Sequence, residues 1–324
     1  MKAIRATKFG SSAVLKLCEI PIPDPNPDEV LVRVWASGVN FIDIYQRAGA
    51  YVNSPTPPFT LGVEGSGVIE LVGSDVTEFK AGDRVAWAMV AGSYAEYCCI
   101  LASKIVPIPS NIELDTAAAM MLQGMTANYL TSSTFPARSG QVAVVHAAAG
   151  GTGALISQML VARGVTVIAT TSTDEKEEVA RAAGAHYVIR YDKQSISEEV
   201  LKISSNKGVD VVYDGVGLAT FDESLKCLKP RGMMVLFGAS SGAVPPFELQ
   251  RLNTGGSLYI TRPTLTHYIA TEEELRERAR AIFELVIDNR LSIRIGHRYP
   301  LAEAFQAHDD LSGRKSTGKL LLIT

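Results

Sequence analysis

Residues 141–163 read "QVAVVHAAAGGTGALISQMLVAR", and no other stretch restricts the possible folds as much. A short apolar run breaks at a crowd of alanines and glycines, then resumes as a longer apolar segment at helical spacing. Strand, tight turn, helix is the reading this forces, because small residues let a helix begin hard against the strand that feeds it. The pattern then recurs: "VTVIATT", "HYVIRY", "GVDVVYDGVG", "GMMVLFG" and "GSLYITR" are further strand candidates, with helical patterns filling most of the gaps. Continuous apolar strands alternating with helices predict an α/β fold, a doubly wound parallel sheet covered on both faces.

Ahead of Asn111 the rhythm differs. "VLVRVWASG", "GSGVIELVG", "AGDRVAWAMV", "GSYAEYCCI" and "SKIVPIP" are short strand candidates between glycine and proline breaks, and the proline-punctuated loop "IPIPDPNPDEV" leads into them. These predict a compact, irregular β-barrel. One helix interrupts it: Asn40 is placed to cap "FIDIYQRA", with Asp43 three residues on and Gly49 at the exit. From about Thr271 the chain returns to a helical pattern and a last strand, "GKLLLIT". That tail is expected to pack back on the first domain, making the sheet unit an insertion.

The 324 residues, 47% of them hydrophobic, are enough for two packed domains. A net charge of -3 argues against nucleic acid as a partner. The four cysteines, Cys18, Cys98, Cys99 and Cys227, have neither zinc-knuckle spacing nor a plausible disulfide partner among neighbours. No apolar run reaches the roughly 18 residues needed to cross a bilayer, and nothing at the start reads as an export leader. A cytoplasmic protein away from the membrane is the expectation.

The turn Ala148-Ala149-Gly150-Gly151-Thr152-Gly153 is a dinucleotide fingerprint with its first glycine replaced by alanine. Gly150 would let the backbone approach a pyrophosphate, Gly153 would let the helix lie close to the strand, and the amides at the helix start would hold the phosphates. The bland alternative is a tight packing turn. An NAD site places an acid at the tip of the second strand to bind the ribose 2'-hydroxyl. Here Thr170, Thr171 and Ser172 stand at the tip, and Lys176 follows as a cation for a 2'-phosphate. Asp174 and Glu175 beside it weigh the other way. The pattern favours NADPH.

Assembled, these residues make the chain resemble, almost end to end, the zinc-free quinone oxidoreductases of the medium-chain dehydrogenase/reductase superfamily, the zeta-crystallin-like group. The resemblance is carried by "SGVNFIDIYQRAGAY", "LGVEGSGVI", "AGDRVA", "VHAAAGGTG", "AGAHYVIRY", "VVYDGVG", "FGASSGAV" and "GSLYITRPTL". It implies a GroES-like irregular β-barrel catalytic domain over 1–123 and 267–324, a Rossmann NADPH-binding domain over 124–266, and a homodimer. Zinc-dependent relatives hold their metal with a cysteine where Asn40 stands and a histidine where Val63 stands, and the four-cysteine structural loop is absent, so no metal is expected.

The resemblance also assigns residues, each with a plainer alternative. Asn40 and Tyr45 are the catalytic candidates, with Phe41 and Ile42 beside them at the cofactor. Otherwise Asn40 simply caps its helix, and Tyr45 belongs to a buried apolar stripe with Phe41, Ile44 and Ala48. Tyr51 and Arg262 are substrate candidates or ordinary surface residues. Thr126 is similar to a cofactor-contacting position or is only part of a helix. Tyr191 would lie with Lys176 at the adenosine end, or be a strand-end aromatic. Phe237, Ser240 and Ser241 end a strand at the nucleotide edge, or form a plain glycine-serine turn. Arg314 matches an arginine that reaches the cofactor, or sits in a solvated charge cluster. His146 is read as structural.

Quinones suit a reductase without metal, since hydride addition gives an aromatic hydroquinone anion whose charge is delocalised, whereas an ordinary ketone gives a strongly basic alkoxide. The expected function is NADPH-dependent quinone reduction without metal or flavin. The alternatives are reduction of an enone or alkenal double bond, and a nucleotide- or RNA-binding protein with little catalysis.

Overall fold

All six strands expected around the glycine turn are present in the computed structural model, which describes residues 1–51 and 54–324. They form one sheet in the order Tyr187–Arg190, Thr166–Thr171, Val142–Val145, Val209–Asp214, Leu228–Leu236, Tyr259–Thr261. Every neighbouring pair is parallel. Counted along the chain, this is third, second, first, fourth, fifth, sixth: the doubly wound Rossmann order. The runs are apolar throughout because both faces are covered. Val144, Ile168, Val212 and Met234 are buried in one cluster with Phe221 and Leu225 from the Phe221–Cys227 helix. Strand order reverses between Val142–Val145 and Val209–Asp214, so the loops leaving those two strands flank the position where such sheets bind ligands.

The N-terminal strands build around Glu29–Val39, which pairs antiparallel with Glu64–Val72, with Tyr97–Leu101 and, from the far end of the chain, with Lys319–Ile323. Register shifts at Leu31/Val32 and Val34/Ala36 bend this long strand, which lets one segment serve several partners. Arg84–Ala88, Val106–Pro107 and Ile295–Pro300 complete a seven-stranded sheet. Lys2–Ala6, with Leu15–Glu19 and Phe59–Thr60 on either side, makes a second, three-stranded one. Val32, Val34, Ile69, Val85 and the fully buried Trp87 fill the interior.

The chain divides into two units: Met1–Met125 with Ile269–Asn289 and Ile293–Thr324, and Thr126–Tyr268 with Arg290–Ser292. No helix among the described residues is long and apolar enough to cross a membrane.

Candidate active site

The Phe41–Ala48 helix begins at Asn40, whose backbone is extended, and ends at Gly49 in the left-handed conformation that glycine adopts freely. The Asn40 N–H donates to Asp43 Oδ2 at 2.8 Å, the carboxylate half of a capping box. Its orientation is the reverse of the buried apolar stripe, the plainer of the two readings. Asp43, Gln46 and Arg47 are buried, whereas Phe41, Ile42, Ile44 and Tyr45 are only half-buried. Tyr45 is therefore not a core tyrosine. The Phe41 and Tyr45 rings lie 6.1 Å apart on the open side.

Partners for the buried polar face explain the reversal. Arg47 Nη1 lies 3.1 Å from His308 Nδ1, and His308 Nε2 lies 3.2 Å from the Tyr94 hydroxyl, which is 3.1 Å from Asp43 Oδ2. Arginine only donates, so the neutral imidazole accepts at Nδ1 and carries its proton on Nε2. It donates to the Tyr94 oxygen, and Tyr94 in turn donates to Asp43. Burial pushes the Asp43 carboxyl up to about 7 and lowers His308 to about 3, the latter with help from the Arg47 charge. Asp43 Oδ1 is buried with no hydrogen-bond partner.

The Asn40 side chain enters a second buried cluster. Lys319 Nζ donates to Asn40 Oδ1 at 2.7 Å and to Glu64 Oε2 at 2.5 Å. Asn40 Nδ2 donates to Glu64 Oε2 at 2.8 Å and to the Gly38 carbonyl at 3.2 Å. The Leu122 N–H donates to Glu64 Oε1 at 2.6 Å. Gly38 leaves the room this takes: a Cβ there would stand 2.7 Å from Lys319 Cε and run into the Glu64 carboxylate. Both amide protons of Asn40 are thus committed, and its carbonyl oxygen already accepts from Lys319. Glu64 is already neutralised by an ammonium, and Val63 is apolar, which together make a poor donor set for a cation. Among the described residues, no three His, Cys, Asp or Glu gather to hold a metal ion.

In the second unit, the helix Gly151–Val161 starts directly from the turn, with Gly150 as its extended N-cap. An added Cβ on Gly153 would lie 2.5 Å from the Ala147 carbonyl oxygen, so this glycine is required by the close approach of helix and strand end. At Gly150 an added Cβ would stand 3.2 Å from the same Ala147 carbonyl oxygen, a tight approach but a less severe one. The amides of Gly151, Thr152 and Gly153 have no carbonyl one turn back, and no side chain caps them. Beneath the turn, His146 Nδ1 meets Thr170 Oγ1 at 2.9 Å, and Nε2 meets Ser224 Oγ at 2.9 Å; Ser224 donates to Asp214 Oδ2 at 2.8 Å. Asp214 also accepts from Val216 N, Gly217 N and Thr220 Oγ1. This chain ties together the ends of three strands, and burial keeps His146 neutral. His146 is a brace.

At the tip of Thr166–Thr171, the Thr171 hydroxyl is buried with no partner, and Ser172 is half-buried beyond it. Lys176 lies half-buried in the first turn of Asp174–Ala182, and exposed Tyr191 donates its N–H to the Thr171 carbonyl at 3.1 Å. Strand Leu228–Leu236 runs into Phe237, whose N–H donates to the Asp214 carbonyl. Ser240 N donates to the Gly215 carbonyl, and Ser241 Oγ donates to the Val216 carbonyl at 2.7 Å. Ala149, Gly150–Gly153, Phe237, Ser240 and Ser241 thus share the strand-order reversal, and Ser172, Lys176 and Tyr191 share the neighbouring tip. Thr126 is buried within the Leu114–Tyr129 helix. Exposed Arg262 donates to the Leu236 carbonyl at 3.1 Å. In the first unit, Tyr51 is half-buried, its carbonyl accepting from Ser54, and Arg314 is exposed with left-handed backbone.

These elements are those of a known family. The Alcohol dehydrogenase GroES-like domain matches residues 26–110, and the Zinc-binding dehydrogenase domain matches residues 151–284. A Quinone oxidoreductase of Pseudomonas aeruginosa is 42% identical over 323 residues, 99% of each chain. The chain belongs to the quinone oxidoreductases of the medium-chain dehydrogenase/reductase superfamily. Within this family, the crystal structure of Escherichia coli quinone oxidoreductase complexed with NADPH superposes with a TM-score of 0.97, at 40% identity and full coverage of both chains. A 2-haloacrylate reductase of a Burkholderia species is also similar, 39% identical over 94% of this chain and 93% of its own.

Glu64, Lys319, Asp43, Tyr94 and His308 were not expected as parts of the site. The available signal was charge in the wrong place: a glutamate inside "GVEGSGV" and a lysine heading "KLLLIT", both in runs that read as buried strand.

Proposed function

We propose that the chain is an NADPH-dependent quinone reductase that works without metal or flavin. Residues 1–123 and 267–324 act as its catalytic domain and 124–266 as its NADPH-binding domain. The observation that carries this reading is the reversed Phe41–Ala48 helix, which buries its acid and arginine and leaves a phenylalanine, two isoleucines and a tyrosine open. A half-buried apolar face, backed by a polar interior that is hydrogen-bonded except at Asp43 Oδ1, suits a flat, largely apolar ring.

The nucleotide fits the second unit. The free amides of Gly151, Thr152 and Gly153 suit the pyrophosphate, with Gly150 leaving its backbone approachable. The partnerless Thr171 hydroxyl, Ser172, Lys176 and Tyr191 suit the phosphorylated ribose, and Thr126, Phe237, Ser240, Ser241 and Arg314 are further contacts. Bound NADPH supplies a hydride from its nicotinamide ring. In the first unit, Phe41, Ile42 and Tyr45 offer a water-excluding face for such a ring and Tyr51 a contact for the acceptor; in the second, Arg262 is the acceptor candidate. Asn40 orients the bound ring with its amide fixed in place by Lys319 and Glu64. The acceptor's reduced form bears its own charge, so these residues need only position and desolvate. A homodimer is part of the proposal, as for the expectation from sequence.

The haloacrylate reductase among the relatives favours a second reading, conjugate reduction of an activated double bond. Steady-state comparison decides between them. The proposal predicts a higher kcat/KM for 1,4-benzoquinone than for an alkenal or 2-haloacrylate, and the opposite order would overturn it.

A further inference from the structure

The acids that open the Asp174–Ala182 helix ought to repel a 2'-phosphate, yet the structure occupies one of them. Arg190 ends the strand Tyr187–Arg190 directly opposite Thr171 in register, and its Nη2 donates to the Ser172 carbonyl at 3.2 Å. Its guanidinium therefore lies at the tip proposed to take the phosphorylated ribose. Two carboxylates share it. Asp192 is held by two parallel bonds, Nε to Oδ1 at 2.9 Å and Nη2 to Oδ2 at 2.8 Å. Asp174 meets Nη1 alone.

The two acids differ in how firmly they are held. The Arg190 side chain is 11% exposed and Asp192 35%, whereas Asp174 is 86% exposed. A bidentate, half-buried pair is strong, and a single-point contact to a solvated carboxylate is weak. Lys193 Nζ stands 3.9 Å from the same Asp174 oxygen, so this acid has a second cation waiting when it leaves Arg190.

We propose that Arg190 sets the preference for the phosphorylated cofactor by anion exchange: the 2'-phosphate displaces Asp174 from the guanidinium, and Asp174 shifts to Lys193. Asp192 keeps the guanidinium aimed during the exchange and contributes no selectivity of its own. Asp174 acts as a placeholder that keeps the Arg190 charge satisfied when no phosphate is bound. It also weakens NADPH binding by the amount needed to displace it. The proposal rests on the nucleotide reading above and assigns the reader of its 2'-phosphate.

The test is calorimetric binding of adenosine 2',5'-bisphosphate and of 5'-AMP to the intact protein, with no turnover involved. Arg190→Gln is expected to weaken the bisphosphate about tenfold or more while leaving 5'-AMP unchanged, since a lost charge-assisted bond acts only on the ligand that bears the extra phosphate. Asp174→Asn, on a side chain 86% exposed, is expected to tighten the bisphosphate several-fold and leave 5'-AMP alone. An Arg190→Gln protein that keeps the wild-type preference, or an Asp174→Asn protein that binds the bisphosphate no better, overturns the exchange. A general loosening of the fold would weaken both nucleotides alike, which also counts against it. Failure of the NADPH reading itself looks different: wild-type protein would bind the two nucleotides equally.

Discussion

Lys319 Nζ and Glu64 Oε2 lie 2.5 Å apart, with the two side chains 1% and 0% exposed. Both atoms also bond the side chain of Asn40, the residue that stands where zinc-dependent relatives carry a cysteine. Paired with Glu64, the ammonium brings neither net charge nor an exchangeable coordination site, and it holds the Asn40 carbonyl oxygen.

Removing one partner strands the other charge in the interior. Lys319→Met or Glu64→Gln should each cost about 3–5 kcal/mol, whereas the double variant should recover much of that loss, because the pair's attraction mainly offsets its own desolvation. Chemical denaturation of the three proteins measures this. Additive losses in the double variant would count against a coupled pair.

Asp43 and His308 should give opposite pH dependences. A carboxyl at about 7 in the fold keeps a proton that the unfolded chain releases near 3.8, so its contribution is full below about pH 4 and is lost as pH rises to 7. An imidazole lowered from 6.5 to about 3 leaves the unfolded chain binding the proton first, so the fold loses stability as pH falls below 6.5. The two slopes oppose each other between about pH 4 and 6.5. Asp43→Asn should leave stability rising with pH across that window, and His308→Gln should leave it falling. Urea midpoints across the window test this, and identical slopes in both variants would refute it.

The two glycines of the turn should separate stability from binding. Gly153→Ala forces a Cβ to 2.5 Å from the Ala147 carbonyl and should lower stability by about 1–3 kcal/mol. Gly150→Ala brings its Cβ to 3.2 Å from the same carbonyl with an ordinary backbone, so it should cost less stability than Gly153→Ala while NADPH affinity falls. Thermal melts and NADPH titrations of both proteins check the contrast.

Tyr45 offers either its ring or its hydroxyl. If the reduced acceptor carries its own charge, Tyr45→Phe should retain kcat/KM with benzoquinone within about threefold, since losing a working proton donor typically costs a hundredfold or more. Tyr45→Ala should lose more than Tyr45→Phe, through the vacated face. A hundredfold loss in the phenylalanine variant would make the hydroxyl the proton donor.

Much of the fold was legible because its signals are local. Strand–helix alternation, the glycine turn and the Asn40 to Gly49 helix boundaries each lie within a few residues of their cause. The site was less so. Periodicity showed two faces on "FIDIYQRA" but not which one turns inward. That choice depends on Tyr94 and on His308, 261 residues beyond Arg47. Lys319 finds Glu64 across 255 residues, so neither charge announces a partner in its own neighbourhood. Lys176 stood at the expected spacing from the glycine turn; Arg190 sits one strand later, and only sheet order brings it to Ser172.

In the proposed function, hydride reaches a quinone without a metal, with Lys319 and Glu64 only holding Asn40 in place. Its most direct test is kcat/KM for NADPH oxidation by 1,4-benzoquinone, measured on protein stripped by chelator and checked for metal content. The account predicts full activity at background metal, unchanged by added zinc. Activity that disappears on stripping and returns with zinc would contradict it.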